Sequence, residues 1–232
     1  MTILNKYLIS FMGFFSFLIS CNSEAQQTDL TVPDFEKAIT GNDIRLLDVR
    51  TESEYQSGHL KNALLANWND ETEFQERVKA LDKNKPVYTY CLSGARSHSA
   101  TLWLRQHGFT AYNLSGGITA WKNAGKPVDL VKTVPQISLD EYLSQIPKDR
   151  TVLVDISATW CPPCKTMAPI VDSLVKANAD RFVLVKIDGG DQTDICGKLS
   201  VSGFPTFIVY KNGKEVFRKE GLVDAKEMIS WF

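Results

Sequence analysis

Net charge of either sign is nearly absent, with 26 basic side chains against 27 acidic ones in 232 residues. So balanced a surface lacks the basic footprint that nucleic acid requires and the polybasic stripe that holds anionic lipid, which excludes both partner classes. Glycine and proline are modest, at 14 and 9, which removes a collagen-like chain, and a 44% hydrophobic content removes disorder. Histidine is scarcer still: there are three, at positions 59, 98 and 107, and none in the C-terminal half. A long apolar run occurs near the N-terminus, where residues 7–20 (YLISFMGFFSFLIS) follow a polar start with the single charge Lys6. As a helix this run reaches about 21 Å at ~1.5 Å per residue, short of the roughly 30 Å hydrocarbon core. The segment therefore has the anatomy of a signal peptide rather than of a permanent membrane span. At roughly 100–150 residues per domain, the remaining length predicts two small domains.

Residues 18–21, Leu-Ile-Ser-Cys, resemble a bacterial lipobox. The resemblance implies lipidation of Cys21, cleavage before it, and a polar tether over residues 21–29. The folded part would then lie outside the cytoplasm at the cell envelope, held to the membrane by a lipid anchor only.

Beyond the tether, strand-like runs at 45–49, 63–66 and 86–90 alternate with helix-like runs at 33–39, 71–81 and 95–107. This alternation predicts an α/β domain over residues 30–132, built on a parallel sheet covered by helices. Ligands in such sheets sit beyond the carboxyl ends of the strands, and the run Val87, Tyr88, Thr89, Tyr90 delivers Cys91 to that place. Leu92, Ser93, Gly94 and Ala95 then lead into a helix, so their amides can curl round the Cys91 sulfur as an anion-binding nest and lower its pKa. Gly94 permits the inward fold, and Arg96 is placed to pair with an anion in the bowl. The competing use of a lone cysteine is as a small buried hydrophobe. A tyrosine-phosphatase loop is a poorer fit, since only four residues separate Cys91 from Arg96 where that chemistry uses five. His98, seven positions along a helix or about 10 Å away, is out of hydrogen-bond reach and is expected on the helix surface.

These features resemble the rhodanese (sulfurtransferase) domain. The resemblance runs through Leu47-Asp48-Val49-Arg50, Glu54-Tyr55, Gly58-His59, the loop from Cys91 to Ser97, and Ser115-Gly116-Gly117 with Trp121. It implies a persulfide on Cys91, charged by a small sulfur donor and discharged to a thiol acceptor. The loop amides and Arg96 would stabilise it, while Asp48, Arg50, Glu54 and His59 brace the pocket. No cofactor and no metal are required.

Two prolines and no amphipathic period between 125 and 136 place a domain junction near residue 135, with a second domain over 136–232. Ser138-Leu139-Asp140-Glu141 predicts a capped helix start. The run from Val152 to Ile156 then leads into Trp160-Cys161-Pro162-Pro163-Cys164-Lys165, a strand followed by CxxC at a helix start. Cys161, where helix amides converge, is the nucleophile in this arrangement, and Cys164 one turn inside closes the disulfide. Zinc binding and a permanent structural disulfide are the competing uses. Zinc needs two further ligands, and this half offers only Cys196 and no histidine. Asp155 lies in an apolar strand, so its carboxyl pKa should be raised, and it is placed to take the proton of Cys164. Pro205 opens a strand over 206–210, and Asn212-Gly213 predicts a hairpin turn.

Together these residues, with Pro169 in the following helix, resemble thioredoxin. The resemblance implies a mixed sheet with flanking helices, protein disulfides as partners, and a cis Pro205 that faces the disulfide beside Trp160 and helps hold an extended substrate. It also implies a membrane electron donor for a reductive domain outside the cytoplasm. Pro162-Pro163 departs from the usual Gly-Pro and leaves the direction of electron flow open. Cys196 matches no catalytic position and is expected to pack. The whole is an envelope-anchored thiol enzyme, or an oxidoreductase whose first domain only presents substrates.

Overall fold

The structure is a computed structural model that describes residues 28–130 and 134–232. The leader, Cys21 and the centre of the junction lie outside the described residues.

The first unit runs β1 (Asp29–Leu30), α1 (Val32–Ile39), β2 (Arg45–Asp48), α2 (Glu52–Gln56), β3 (Leu64–Leu65), α3 (Glu71–Val78), β4 (Val87–Tyr90), α4 (Ala95–Gln106), β5 (Ala111–Leu114) and α5 (Gly117–Asn123). Its five strands are all parallel in the order β1-β5-β4-β2-β3, with Arg45 opposite Val87 and Asp48 opposite Tyr90 in the central pair. Helices cover both faces because side chains along each strand alternate in direction. Leu46 joins Phe35 of α1, Tyr55 of α2 and Ile118 and Trp121 of α5 on one face. Leu47 joins Phe74 and Val78 of α3 and Ala100 and Leu104 of α4 on the other. Side chains set the helix starts: the Thr31 hydroxyl accepts from the Asp34 amide, and Thr51 and Glu54 form a reciprocal capping box.

The second unit runs α6 (Leu139–Ser144), β6 (Thr151–Ser157), α7 (Pro162–Ala177), β7 (Phe182–Asp188), α8 (Thr193–Lys198), β8 (Thr206–Lys211), β9 (Lys214–Glu220) and α9 (Ala225–Ile229). Its sheet is mixed, in the order β7-β6-β8-β9, with β6 parallel to β7 and antiparallel to β8. Ser138 and Glu141 make the expected capping box. Asn212 and Gly213 both have positive φ, at 54° and 73°, which is the turn that a two-residue hairpin requires. Along β6, Val152, Val154 and Ile156 pack towards α6 and α8. Leu153 packs instead with Met167 and Val171 of α7 and Met228 of α9. Asp155 shares the parity of Leu153 and so faces the side covered by α7. Among the described residues, no helix is long and apolar enough to cross a membrane.

Candidate active site

The first centre forms where β4 ends. Cys91 follows the strand and is 1% exposed, and Gly94, at a φ of +96°, turns the chain so that its own amide donates to Cys91 Sγ at 3.1 Å. Burial works to raise the thiol's pKa, but the Ser97 hydroxyl and the amides of Ser97, Ser93 and Gly94 outweigh it and bring the thiol below its ordinary value. Leu92 stands half exposed at the rim, with Ser93 and Ala95 exposed beside it.

Two further elements hold this loop. Gly117, at a φ of +58°, lies so close beneath it that an added Cβ would sit 2.4 Å from the Cys91 carbonyl oxygen and 2.7 Å from that of Leu92. The amides of Ile118 and Thr119 donate to those same two carbonyls, at 2.8 and 3.1 Å. Asn113 Nδ2, from β5, donates to the Gly94 carbonyl at 3.3 Å.

Arg96 reaches back to α2. Its guanidinium donates to both carboxylate oxygens of Glu54, at 2.8 and 2.6 Å. The guanidinium holds the Glu54 carboxyl down to about 2. Arg96 thus braces the loop on α2 and still senses charge on Cys91, which raises its own pKa after the larger effect of Glu54. Asp48 and Arg50 form a buried pair below, in which Arg50 Nη2 also donates to the Gly58 carbonyl at 2.8 Å. His59 stacks on Tyr55 at 3.7 Å. His98 lies on the helix surface as expected, with Nδ1 3.0 Å from Asp29.

The second centre forms where β6 runs into α7. Cys161 is the N-cap residue of α7 and is disulfide-bonded to Cys164, whose amide donates to Cys161 Sγ at 3.1 Å. Pro162 and Pro163 occupy the first helical turn, where missing amides cost nothing. The Phe204–Pro205 peptide is cis, and the Phe204 carbonyl oxygen lies 3.5 Å from Cys161 Sγ. Trp160 packs on Phe204 with ring centroids 5.7 Å apart. Asp155 is 5% exposed, and its Oδ1 has no hydrogen-bond partner among the described residues. Burial pushes its carboxyl up to about 6, only partly opposed by the charge of Lys186 on the neighbouring strand. Cys196 packs into the core from α8, and burial pushes its thiol up to about 11. Among the described residues, no group of three or more His, Cys, Asp or Glu side chains is placed to hold a metal ion.

The role of the Ser97 hydroxyl, Asn113 and the packing role of Gly117 escaped the sequence reading. Ser97 carried a weak signal, because a hydroxyl two residues into a helix that opens on a cysteine can reach the sulfur. Asn113 carried none, since its contact to the loop crosses 19 positions.

Comparison with known proteins accounts for both units. The rhodanese-like domain family model matches residues 31–124, and the thioredoxin family model matches residues 132–232. "Thioredoxin" of Echinococcus granulosus is 37% identical over 92 residues, covering 40% of this chain and 85% of that protein. "Thioredoxin Y, chloroplastic" of Oryza sativa subsp. japonica is 40% identical over 92 residues, covering 40% of this chain and 54% of that protein, so the chain spans about half the length of the rice relative. Among solved structures, a rhodanese-related protein from Thermoplasma volcanium is 29% identical and covers 44% of this chain and 98% of its own, with a TM-score of 0.41.

Proposed function

Because the chain belongs to the thioredoxin family and carries a rhodanese-like domain ahead of the thioredoxin domain, we propose that it is a thiol enzyme with two sulfur centres. Cys161 and Cys164 exchange electrons with disulfides, and Cys91 carries sulfane sulfur. One repeated observation supports this reading: each nucleophile sits at a helix start, with an amide three residues on donating to its sulfur at 3.1 Å. Such amides stabilise a thiolate over a thiol, and the thiolate is the attacking species.

At the first centre the Cys91 thiolate attacks the outer sulfur of a donor such as thiosulfate. The donor's S–S bond breaks, sulfite leaves with the electron pair, and a new S–S bond makes Cys91 a persulfide. Backbone amides and Ser97 stabilise the charge, with Arg96 contributing from its seat on Glu54. At the second centre the reduced Cys161 thiolate attacks a disulfide or a persulfide. Cys164 then attacks Cys161 Sγ, which closes the Cys161–Cys164 disulfide and releases the reduced thiol, or sulfide when sulfane sulfur was the target. Asp155 takes the Cys164 proton. Protein disulfides, small sulfur donors and thiol acceptors are the substrates, and a membrane electron donor restores the dithiol.

A version of the chain without residues 1–21 and with Cys161 and Cys164 both changed to Ser should gain one sulfur on Cys91 when incubated with thiosulfate, read by peptide mass spectrometry. An unmodified Cys91, with other sulfane donors also failing, supports the second reading, in which the first domain only presents substrates. The clamp of Arg96 on Glu54 favours that alternative, because it commits Nη1 and Nη2 of the guanidinium to Glu54 rather than to a bound anion.

The resemblance of residues 18–21 to a lipobox supports a place at the envelope. The expected mature N-terminal peptide begins at Cys21 and carries the mass of acyl chains; a peptide with another start, or a bare Cys21, would refute the anchor.

A further inference from the structure

An exchange centre must meet its substrate's sulfur, yet Cys161 has no exposed surface, and Trp160 and Cys164 are each 6% exposed. The chain's own first domain covers them. Leu60, Ala63 and Leu65 share one buried apolar cluster with Ala158, Trp160, Cys161 and Cys164. β3 is the edge strand of its sheet, and its Leu65 amide donates across the interface to the Trp160 carbonyl at 2.9 Å. The contact joins a backbone hydrogen bond on a turn residue to apolar side chains seated beside it, the two kinds of force by which extended peptides dock on folded domains. The segment from Leu60 to Leu65 contains no cysteine, so it occupies the face beside the dithiol without being able to react there.

Polar contacts flank the cover. On one flank Arg77 donates to the Leu65 carbonyl at 3.1 Å and lays its guanidinium over the Trp160 ring at 4.9 Å. Thr166 of α7 donates to the Ala80 carbonyl at 3.3 Å. Beside these contacts a cleft of about 470 Å³ separates Lys61 and Asn62 from Pro162 and Lys165, and another of about 210 Å³ lies between Glu52 and Cys196. Clefts on either side interrupt the packing between the two units at the edges of the shared cluster. The covalent link runs between Asp129, paired with His59 in both directions, and Gln136, which hydrogen-bonds to Asp191 and Asp194.

We infer that the rhodanese-like domain is a reversible cap on the thioredoxin centre: closed, the β3 edge excludes protein disulfides, and access requires the two domains to part. The inference rests on the reading of Cys161 and Cys164 as an exchange centre. Substrates that need the open form then react at the intrinsic rate multiplied by the open fraction.

The test uses the full chain, reduced. Iodoacetamide labelling of Cys161, followed by peptide mass spectrometry, should run at least ~20-fold slower in the native protein than in urea; protection of less than about 3-fold overturns the cap. Loosening the seal with Arg77→Ala and Thr166→Arg, two residues outside both sulfur centres, should raise the labelling rate and the initial rate of insulin reduction together, by roughly 5-fold or more. If labelling stays slow in this variant, the cover lies elsewhere and the assignment falls. If labelling rises while insulin reduction stays at an undiminished wild-type rate, the contact does not gate substrates and the proposal is again overturned. A dithiol that labels fast in the variant but reduces no insulin in either protein leaves the cap standing and refutes the exchange reading.

Discussion

Gly117→Ala should cut sulfur loading at Cys91 by about 100-fold and destabilise the first domain by about 2–4 kcal/mol. Two effects combine. An alanine at a φ of +58° stores roughly 1 kcal/mol of backbone strain. Its methyl group would also stand 2.4 Å from the Cys91 carbonyl oxygen, 2.7 Å from that of Leu92 and 2.8 Å from the Gly94 nitrogen. All three are backbone atoms of the cysteine loop, so no side chain can swing aside. The loop must lift, and lifting it breaks the bonds from the Ile118 and Thr119 amides to Cys91 and Leu92. The amides of Ser93 and Gly94 then lose their aim on the sulfur, which leaves burial opposed only by Ser97 and moves the thiol up. Thiosulfate loading measured by mass spectrometry should fall by about 100-fold, and the denaturation midpoint should fall with it. Wild-type loading with an unchanged midpoint would show that the close packing of Gly117 does not shape the loop.

That prediction lay only half in the sequence. The order of Cys91, Gly94 and Arg96 announced a loop curled round the cysteine, and the Gly-Gly at 116–117 belonged to the same resemblance. What could not be read was the reason: Gly117 serves a loop 26 positions earlier, and only the parallel crossover from β4 to β5 brings them together. Arg96 shows the same limit. Its charge and place near the sulfur were legible, but its bidentate partner Glu54 lies 42 positions upstream on a five-residue helix too short to show a period. β1 was missed for a related reason, since two residues make no pattern and only pairing with β5 defines them as a strand. The second unit was more transparent, because its motifs are local. Cys161 to Cys164, Ser138 to Glu141 and Asn212-Gly213 each act within four residues, and each appears where the sequence puts it. The cap is the opposite case. Leu65 meets Trp160 across 95 positions through backbone atoms, which leave no trace in residue type.

Asp155→Asn joins stability and catalysis in one residue. Its carboxyl is buried on the face of β6 that α7 covers, Oδ1 has no partner among the described residues, and its pKa stands at about 6 against an ordinary 3.8. An acid with a raised folded-state pKa binds more protons folded than unfolded across that window. Unfolding free energy therefore falls as pH rises from about 4 to about 6 and stays low above it. At ~1.4 kcal/mol per unit, ionised Asp155 costs the folded state about 3 kcal/mol at neutral pH. The asparagine variant, which does not ionise, should be more stable than wild type by up to ~3 kcal/mol at pH 7.5 and nearly equal to it at pH 4, in urea titrations of the oxidised protein. On the proposed mechanism the same variant lacks the base for the Cys164 proton, so single-turnover oxidation of the dithiol by a protein disulfide should slow by about 100-fold at pH 7. A site kept at this cost in stability has the character of one retained for its chemistry. Equal stability gaps at the two pH values would remove the buried charge as the cause, and an unslowed turnover would remove Asp155 from the exchange.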